Sequence, residues 1–401
     1  MRYDEGGNRL RLARLSDRGV KIWGAEQVWI AEDVRLDRIE PGAEIYQAVL
    51  SGSSLFIGSG SRIGVSGSAR ISDCQIGRDC EIGAGTFDGA TFLDGATIRG
   101  FAEVRAGTVM EEQTEAAHSV AFKNTILTAT TITGSLINYC DIFMSGGTSR
   151  DNHSEVGSGA IHFNFDPRGD KWGSLAGDAT GVLLRKPPVF VGGNVGLVGP
   201  LSIAHGAVIA AGSIVRRDVP QGCIYSESSP NGVLVKEGFQ RTKYGSLRRK
   251  LLTTSRLAGN YIALWNWYGG VRGSCAAEHE ELLYASAQRQ IERNLGERAK
   301  RIGKLIAKLP TSLQDTTSEA LRQEHEMLLD RRDAILAALN PHERASAAPT
   351  RVVEAYRSER RTSGHVDAVK GLSAAIAEEA ENWLGGLAES VERRMEELIN
   401  S

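Results

Sequence analysis

Five consecutive segments at 191–220 read VGGNVG, LVGPLS, IAHGAV, IAAGSI and VRRDVP, and each opens on an aliphatic residue. Glycine concentrates before about Gly232, and helical spacing takes over from about Tyr244. Together these features predict a mainly β chain: a parallel β-helix of hexapeptide repeats followed by an α-helical C-terminal domain. An α-helix repeats its apolar face near 3.6 residues and an ordinary strand at 2, so a step of six fits neither. Repeats of this kind bury their aliphatics only by stacking on their neighbours.

Residues 1–18 form an N-terminal segment, and Gly19 to Leu36 read as the cap of a solenoid spanning 19–232. Steps of six then link Val34, Ile39 and Ile45 loosely, Ile57 to Ile63 and Ile76 to Ile82 strictly, and Phe92, Ile98, Val104 and Met110 in series. The phase slips between these runs, which predicts short insertions at corners. Three flat faces of about six residues need roughly 18 residues per turn, giving on the order of ten coils. The register breaks at 165–189, where Gly, Pro and charge predict a long loop, a kind of segment that is usually functional or disordered. The remainder, 243–401, predicts an antiparallel helical bundle. One helix follows Tyr244, a second runs from about Ala276 to Leu309, and a third covers Thr316 to Leu339. A fourth region after Pro349 is interrupted near Gly364. Trp265, Trp267 and Tyr268 read as core or subunit contact.

A net charge of -2 over 401 residues gives no electrostatic case for nucleic acid or an anionic membrane. No stretch approaches the ~18 apolar residues of a membrane span. MRYDEGGNRLRLARL lacks the apolar run of a signal peptide. The five cysteines contain no CxxC and are expected as reduced thiols, so the expected location is cytoplasmic.

Lys123-Asn124, SLINYCD at 135–141, GSGAIHFNFD at 157–166 and FVGGNVGLVGPLSIAHGAVIAAGSIVRRDV at 190–219 carry a family likeness. Here the chain resembles the acetyltransferase half of the bifunctional N-acetylglucosamine-1-phosphate uridyltransferase/glucosamine-1-phosphate acetyltransferase. The resemblance implies a left-handed parallel β-helix, a homotrimer with sites between subunits, acetyl-CoA as co-substrate, and an amino sugar on a phosphate or nucleotide as acceptor. It does not reach the helical C-terminus, and the uridyltransferase half has no counterpart here. The family's catalytic His falls on Ser135, its Asn-Tyr pair on Asn164 and Phe165, a Ser on Gly193, and an Arg that contacts coenzyme A on about Ser228. The Lys that contacts substrate phosphate is kept as Lys123, and a loop Lys aligns with Lys171.

Amine acylation needs a group to take the ammonium proton, and an ordinary Ser does not serve. His153 in RDNHSEVG and His162 in AIHFNFD are therefore the candidate bases, oriented by Asp141, Asp151 or Glu155, with Asn164 beside them. Lys123, Arg150, Arg168 and Lys171 suit phosphate, and Asp141 and Phe165 complete the expected substrate site. Smooth coils from Gly192 to Ala211 suit a pantetheine arm touching Gly193 and Ala211, with Arg216 at the coenzyme phosphates. His118 and His153 suggest a γ-class carbonic anhydrase-like zinc site. Position 158 is Ser where that family has its third His, so no tightly bound metal is expected. The functional expectation is acyl transfer. The alternatives are a non-catalytic sugar-nucleotide sensor or trimeric scaffold, its helices recruiting a protein partner, and the carbonic anhydrase-like site.

Overall fold

The computed structural model describes residues 5–227, 240, 242–314 and 316–400. Three parallel sheets of 11, 10 and 8 short strands, here A, B and C, wind together into a solenoid. Its interior is a set of stacked columns. In sheet A the column runs Ile22, Ile45, Ile63, Ile82, Ile98, Ala116, Thr133, Val156, Val191, Ile209 and Tyr225 in register. Each buried isoleucine contributes on the order of 1.5–3 kcal/mol. Thr128, Thr130, Thr131 and Thr133 replace aliphatics in one stretch and are buried. Their hydroxyls are satisfied locally: Thr131 donates to the Thr128 carbonyl, and Thr128 and Thr130 accept from the Gly146 and Gly147 amides.

The expected loop at 165–189 is not continuous. Ser174–Ala176 forms a strand of sheet C between Ile142–Met144 and Ser202–Ile203, so this coil stays closed. Two excursions flank that strand. The first is pinched by a bridge between Phe165 and Lys171, and the second holds the buried 3₁₀ turn Ala179–Leu183.

Helix α1 (Glu5–Asp17) packs Leu12 and Leu15 on the first coil. The C-terminal helices are α2 (Arg248–Asn266), α3 (Glu278–Ile306), α4 (Leu309–Gln314), α5 (Glu319–Asp330), α6 (Arg332–Ala337), α7 (Thr350–Arg360), α8 (His365–Gly371) and α9 (Ala374–Asn400). They do not stand apart from the solenoid. Their core is continuous with the outer face of sheet C, through Phe56, Val109, Ile126, Phe143 and Leu175. Sheet C is thus buried on both faces, and its strands read as apolar pairs such as Val109–Met110 and Ile126–Leu127. Among the described residues no helix is long and apolar enough to cross a membrane.

Helix α3 climbs the solenoid almost coil by coil. Ser286 meets Gln75 and Thr91, Gln290 accepts from the Gly107 amide, Asn294 donates to the Gly107 carbonyl, and Arg298 reaches Asp141. Four helical residues rise ~6 Å, near the ~4.8 Å between strands, so residues on one helix face meet successive coils. At the C–A corner, buried Arg272 pairs with Glu112 and lies against the Tyr284 ring. Tyr268 donates to Glu111, whose carboxyl burial pushes up to about 7. Tyr268 and Trp267 are fully buried, as core.

Candidate active site

Most of the residues singled out in the sequence fall into three places. Two are opposite edges of sheet B, separated by the strand Asn138–Cys140, about 10 Å long at ~3.3 Å per residue. The third is the C–A corner.

At the B–C edge the solenoid and α3 enclose a cleft of about 330 Å³. Lys123 and Lys171 enter from the solenoid, and Arg298, Lys300, Arg301, Lys304 and Lys308 from α3 and just beyond it. Spacings of three and four put the helical cations on one face. Asp170 and Glu297 are the acids of the lining. Some of the charge is consumed internally: Lys308 pairs with Asp170, and Arg301 with Glu297 and Asp141. Among the described residues Lys123 and Lys304 have no ion-pair partner, and Lys171 lies 5.9 Å from the exposed Phe165 ring. A cleft with this cationic excess suits a phosphate or diphosphate.

Asp141 lies behind the lining, bound to Arg298 and Arg301, and differs from its expected role. It sits at a corner with φ 65 and is 1% exposed. Asn124 and Arg298 donate to Oδ1, and Asn164 and Arg301 to Oδ2. Its carboxylate sites are filled, leaving no lone pair for substrate. Burial opposes its charge, but Arg298 and Arg301 outweigh that and bring the carboxyl down to about 2. Asp141 anchors α3 to the solenoid, and the Asn164 amide is committed to holding it.

At the A–B edge a second ladder appears. The amides of Leu136, Gly159, Asn194 and Gly212 donate to the carbonyls of His118, Ser135, Ser158 and Gly193. Those four amides belong to corner residues with positive φ. The residues preceding the corners, His118, Ser135, Ser158, Gly193 and Ala211, therefore form one column along the edge, none of them buried. Gly193 and Ala211 sit at its upper end, in line with Ser135. His118 Nδ1 is hydrogen-bonded to Ser135 Oγ at 3.1 Å. From sequence, His118 enters only as a candidate metal ligand. The 17-residue separation from Ser135, one coil, was the available signal.

Neither expected base stands at an edge of sheet B with a free face. His162 points into the solenoid and is 4% exposed. Its Nδ1 contacts the Cys140 carbonyl at 2.5 Å and must carry the proton, and its Nε2 takes the Ser174 hydroxyl at 2.7 Å. Burial lowers its pKa to about 4. It is a neutral core histidine with both nitrogens occupied. His153 lies at the C–A corner, with Nδ1 on the Arg150 carbonyl and Glu155 3.7 Å from Nε2. Arg150 is there too, bonded to Glu115 and the Gln113 carbonyl, and takes no part in a clamp with Lys123. Asp151 and Glu155 lie on that same corner. Arg168 donates to the Lys243 carbonyl and lies against the Tyr244 ring. Arg216, on the outer face of sheet B above the site, pairs with Glu227. Ser228 lies outside the described residues. A metal-like grouping of Asp94, His279 and Glu280 exists, but Glu280 is bound to Arg360, and neither His118 nor His153 belongs to it.

No family model matches the chain. Among curated proteins it is 28% identical over 220 residues to the bifunctional protein GlmU of Carboxydothermus hydrogenoformans, covering 55% of this chain and 45% of that one. It is 32% identical over 145 residues to that of Coxiella burnetii, covering 36% and 26%. The chain resembles a hexapeptide-repeat acetyltransferase of the GlmU kind. It spans about half the length, or less, of the curated relatives it matches. Among solved structures, the UDP-N-acetylglucosamine acyltransferase from Campylobacter jejuni aligns at 13% identity and a TM-score of 0.22, covering 67% of this chain and 93% of that one. At that score the alignment carries no weight, and the fold rests on the strand ladders themselves.

Proposed function

We propose that the protein transfers an acyl group from an acyl-CoA, acetyl-CoA in the first instance, to the nitrogen of an amino sugar carried on a phosphate or nucleotide. The observation that carries this reading is the cationic cleft around Lys123. The residue that the resemblance assigns to substrate phosphate opens into a pocket where α3 adds more positive charge. The acceptor's phosphate sits there, and its sugar lies along sheet B toward the A–B edge. The acyl donor runs down that edge past Ala211 and Gly193, where small side chains leave the backbone accessible, and Arg216 lies near its distal phosphates. The assay is thiol release from acetyl-CoA with a panel of amino sugar phosphates and UDP-amino sugars. Turnover with a phosphorylated acceptor, and none with the free sugar, supports the reading. Ser135 in place of the family's His favours a second reading, a non-catalytic sugar-nucleotide sensor, which the same panel identifies as tight binding without thiol release.

Self-association follows from the same surfaces. The helices cover sheet C, whereas Phe101, Leu136, Phe163, Phe190 and Ile224 stay exposed on sheets A and B and the edge between them. A homotrimer packed through that edge brings neighbouring chains over the Ser135 column. Light scattering at the mass of a single chain would remove this part of the proposal.

A further inference from the structure

We infer that His118 is the general base of the acyl transfer proposed above, set one coil below the position where the related family carries its catalytic histidine, and that Ser135 orients it. The inference rests on that functional reading and adds the identity of the proton acceptor. Ser135 cannot take the ammonium proton itself, and the other histidines near sheet B are excluded by geometry. His162 has both nitrogens bonded inside the solenoid, and His153 sits at the far end of sheet A. His118 is exposed, it belongs to the edge column that also holds Gly193 and Ala211, and its ring reaches Ser135 Oγ at 3.1 Å. Among the described residues its Nε2 has no partner.

The chemistry balances with this residue alone. In the active tautomer Nδ1–H donates to Ser135 Oγ, and the Nε2 lone pair faces outward. The acceptor nitrogen attacks the thioester carbonyl, forming the C–N bond, while Nε2 takes its proton. Collapse breaks the C–S bond, and the imidazolium returns the proton to the departing thiolate, so that coenzyme A leaves as the thiol. Phe101 and Leu136, 73% and 64% exposed, occupy corner positions of the same edge one coil before and one coil after Ser119. Ser135 is a positioning residue, because it acts through the imidazole.

The test is steady-state kinetics of His118→Ala, Ser135→Ala and His153→Ala, with thermal melting as a control. His118 is exposed, so its removal should leave the melting transition unchanged. His118→Ala is expected to lose at least ~10²-fold in kcat with little change in KM for either substrate. Added imidazole should restore part of the loss, because the deleted ring leaves an accessible gap. Ser135→Ala is expected to lose roughly tenfold, since the ring remains, and His153→Ala to stay near wild type. A His118→Ala enzyme with wild-type kcat overturns the assignment, as does a loss that imidazole cannot restore or one confined to KM. Absence of thiol release in the wild-type protein defeats the acyl-transfer reading itself, and the base assignment with it. Turnover that ignores His118 defeats the assignment alone.

Discussion

Asp141→Asn is the sharpest perturbation of the join between solenoid and helices. Asp141 accepts four hydrogen bonds, two of them from arginines, at 1% exposure. Replacing one oxygen by an NH₂ group sets a donor against one arginine and one asparagine and leaves Arg298 without a counter-charge, while Arg301 keeps Glu297. The carboxyl is held about two pK units below its ordinary 3.8, which corresponds to roughly 2.5 kcal/mol. Burial, however, lowers the Arg298 pKa despite Asp141. The two partners therefore disagree about the worth of the pair, because desolvating the guanidinium offsets much of what the carboxylate gains. The geometry decides what a single substitution does: removing one member leaves a buried charge uncompensated, at a cost of about 3–5 kcal/mol. Removing both, as in Asp141→Asn with Arg298→Leu, should cost clearly less than Asp141→Asn alone. The assay is the urea midpoint followed by near-ultraviolet circular dichroism. An Asp141→Asn midpoint equal to wild type, or a double variant whose loss is the sum of the singles, refutes the reasoning. The depressed carboxyl pKa also fixes the sign with pH. Its contribution is complete above the unfolded value near 3.8 and disappears as pH falls through about 2.

Three further outcomes are expected. His162 is folded with a pKa of about 4 against 6.5 for the free side chain. Its contribution is therefore present above pH 6.5 and lost between there and pH 4, by up to about 3 kcal/mol; His162→Gln should flatten that part of the stability–pH curve, and an unchanged slope counts against a neutral core histidine. Lys123→Ala and Lys304→Ala should each weaken inorganic pyrophosphate binding by calorimetry, with the residual affinity less sensitive to salt; salt-independent binding by the wild type would exclude an electrostatic cleft. Leu136 holds φ 59 on an exposed corner, so Leu136→Gly should raise the melting temperature of the isolated chain, by the equivalent of about 1 kcal/mol, while weakening any trimer; a lower melting temperature refutes the strain argument.

The solenoid was legible in the sequence because its inner column is one residue type at one spacing, as from Ile57 to Ile63 and from Ile76 to Ile82. It faded at 125–135, where buried threonines substitute for aliphatics and satisfy their hydroxyls on the backbone of the next coil. The strand Ser174–Ala176 was hidden because a coil needs one rung per face, not a hexad, and both its neighbouring corners carry insertions. The placement of the helices had a readable sign that went unused. Sheet A strands of the lower coils pair a charged or polar outer residue with an apolar inner one, as in Glu81–Ile82, whereas several sheet C strands are apolar at both positions, as in Val109–Met110, Ile126–Leu127 and Phe143–Met144. A face that is apolar outside as well as inside must be covered. For the candidate site, Lys123 and Lys171, which the family motifs carry, line one cleft. Arg298, Arg301 and Lys304 were out of reach, because nothing local ties a helix to a corner more than 150 residues earlier.

That tie bears on how a site of this kind is completed. The resemblance puts the family's active sites between subunits. In this chain the B–C edge is already closed by α3 of the same chain, and Arg298, Arg301 and Lys304 face Lys123 across the cleft. The A–B edge, with His118 and Ser135, is left open among exposed aromatic and aliphatic side chains. On the proposed reading a single chain binds the phosphate of an acceptor unaided, while the environment of the proposed base depends on what packs against that edge. Dilution to the monomer should leave pyrophosphate affinity intact and lower kcat. If both fall together, the cleft needs a neighbour as well, and the division of labour between the two edges is wrong.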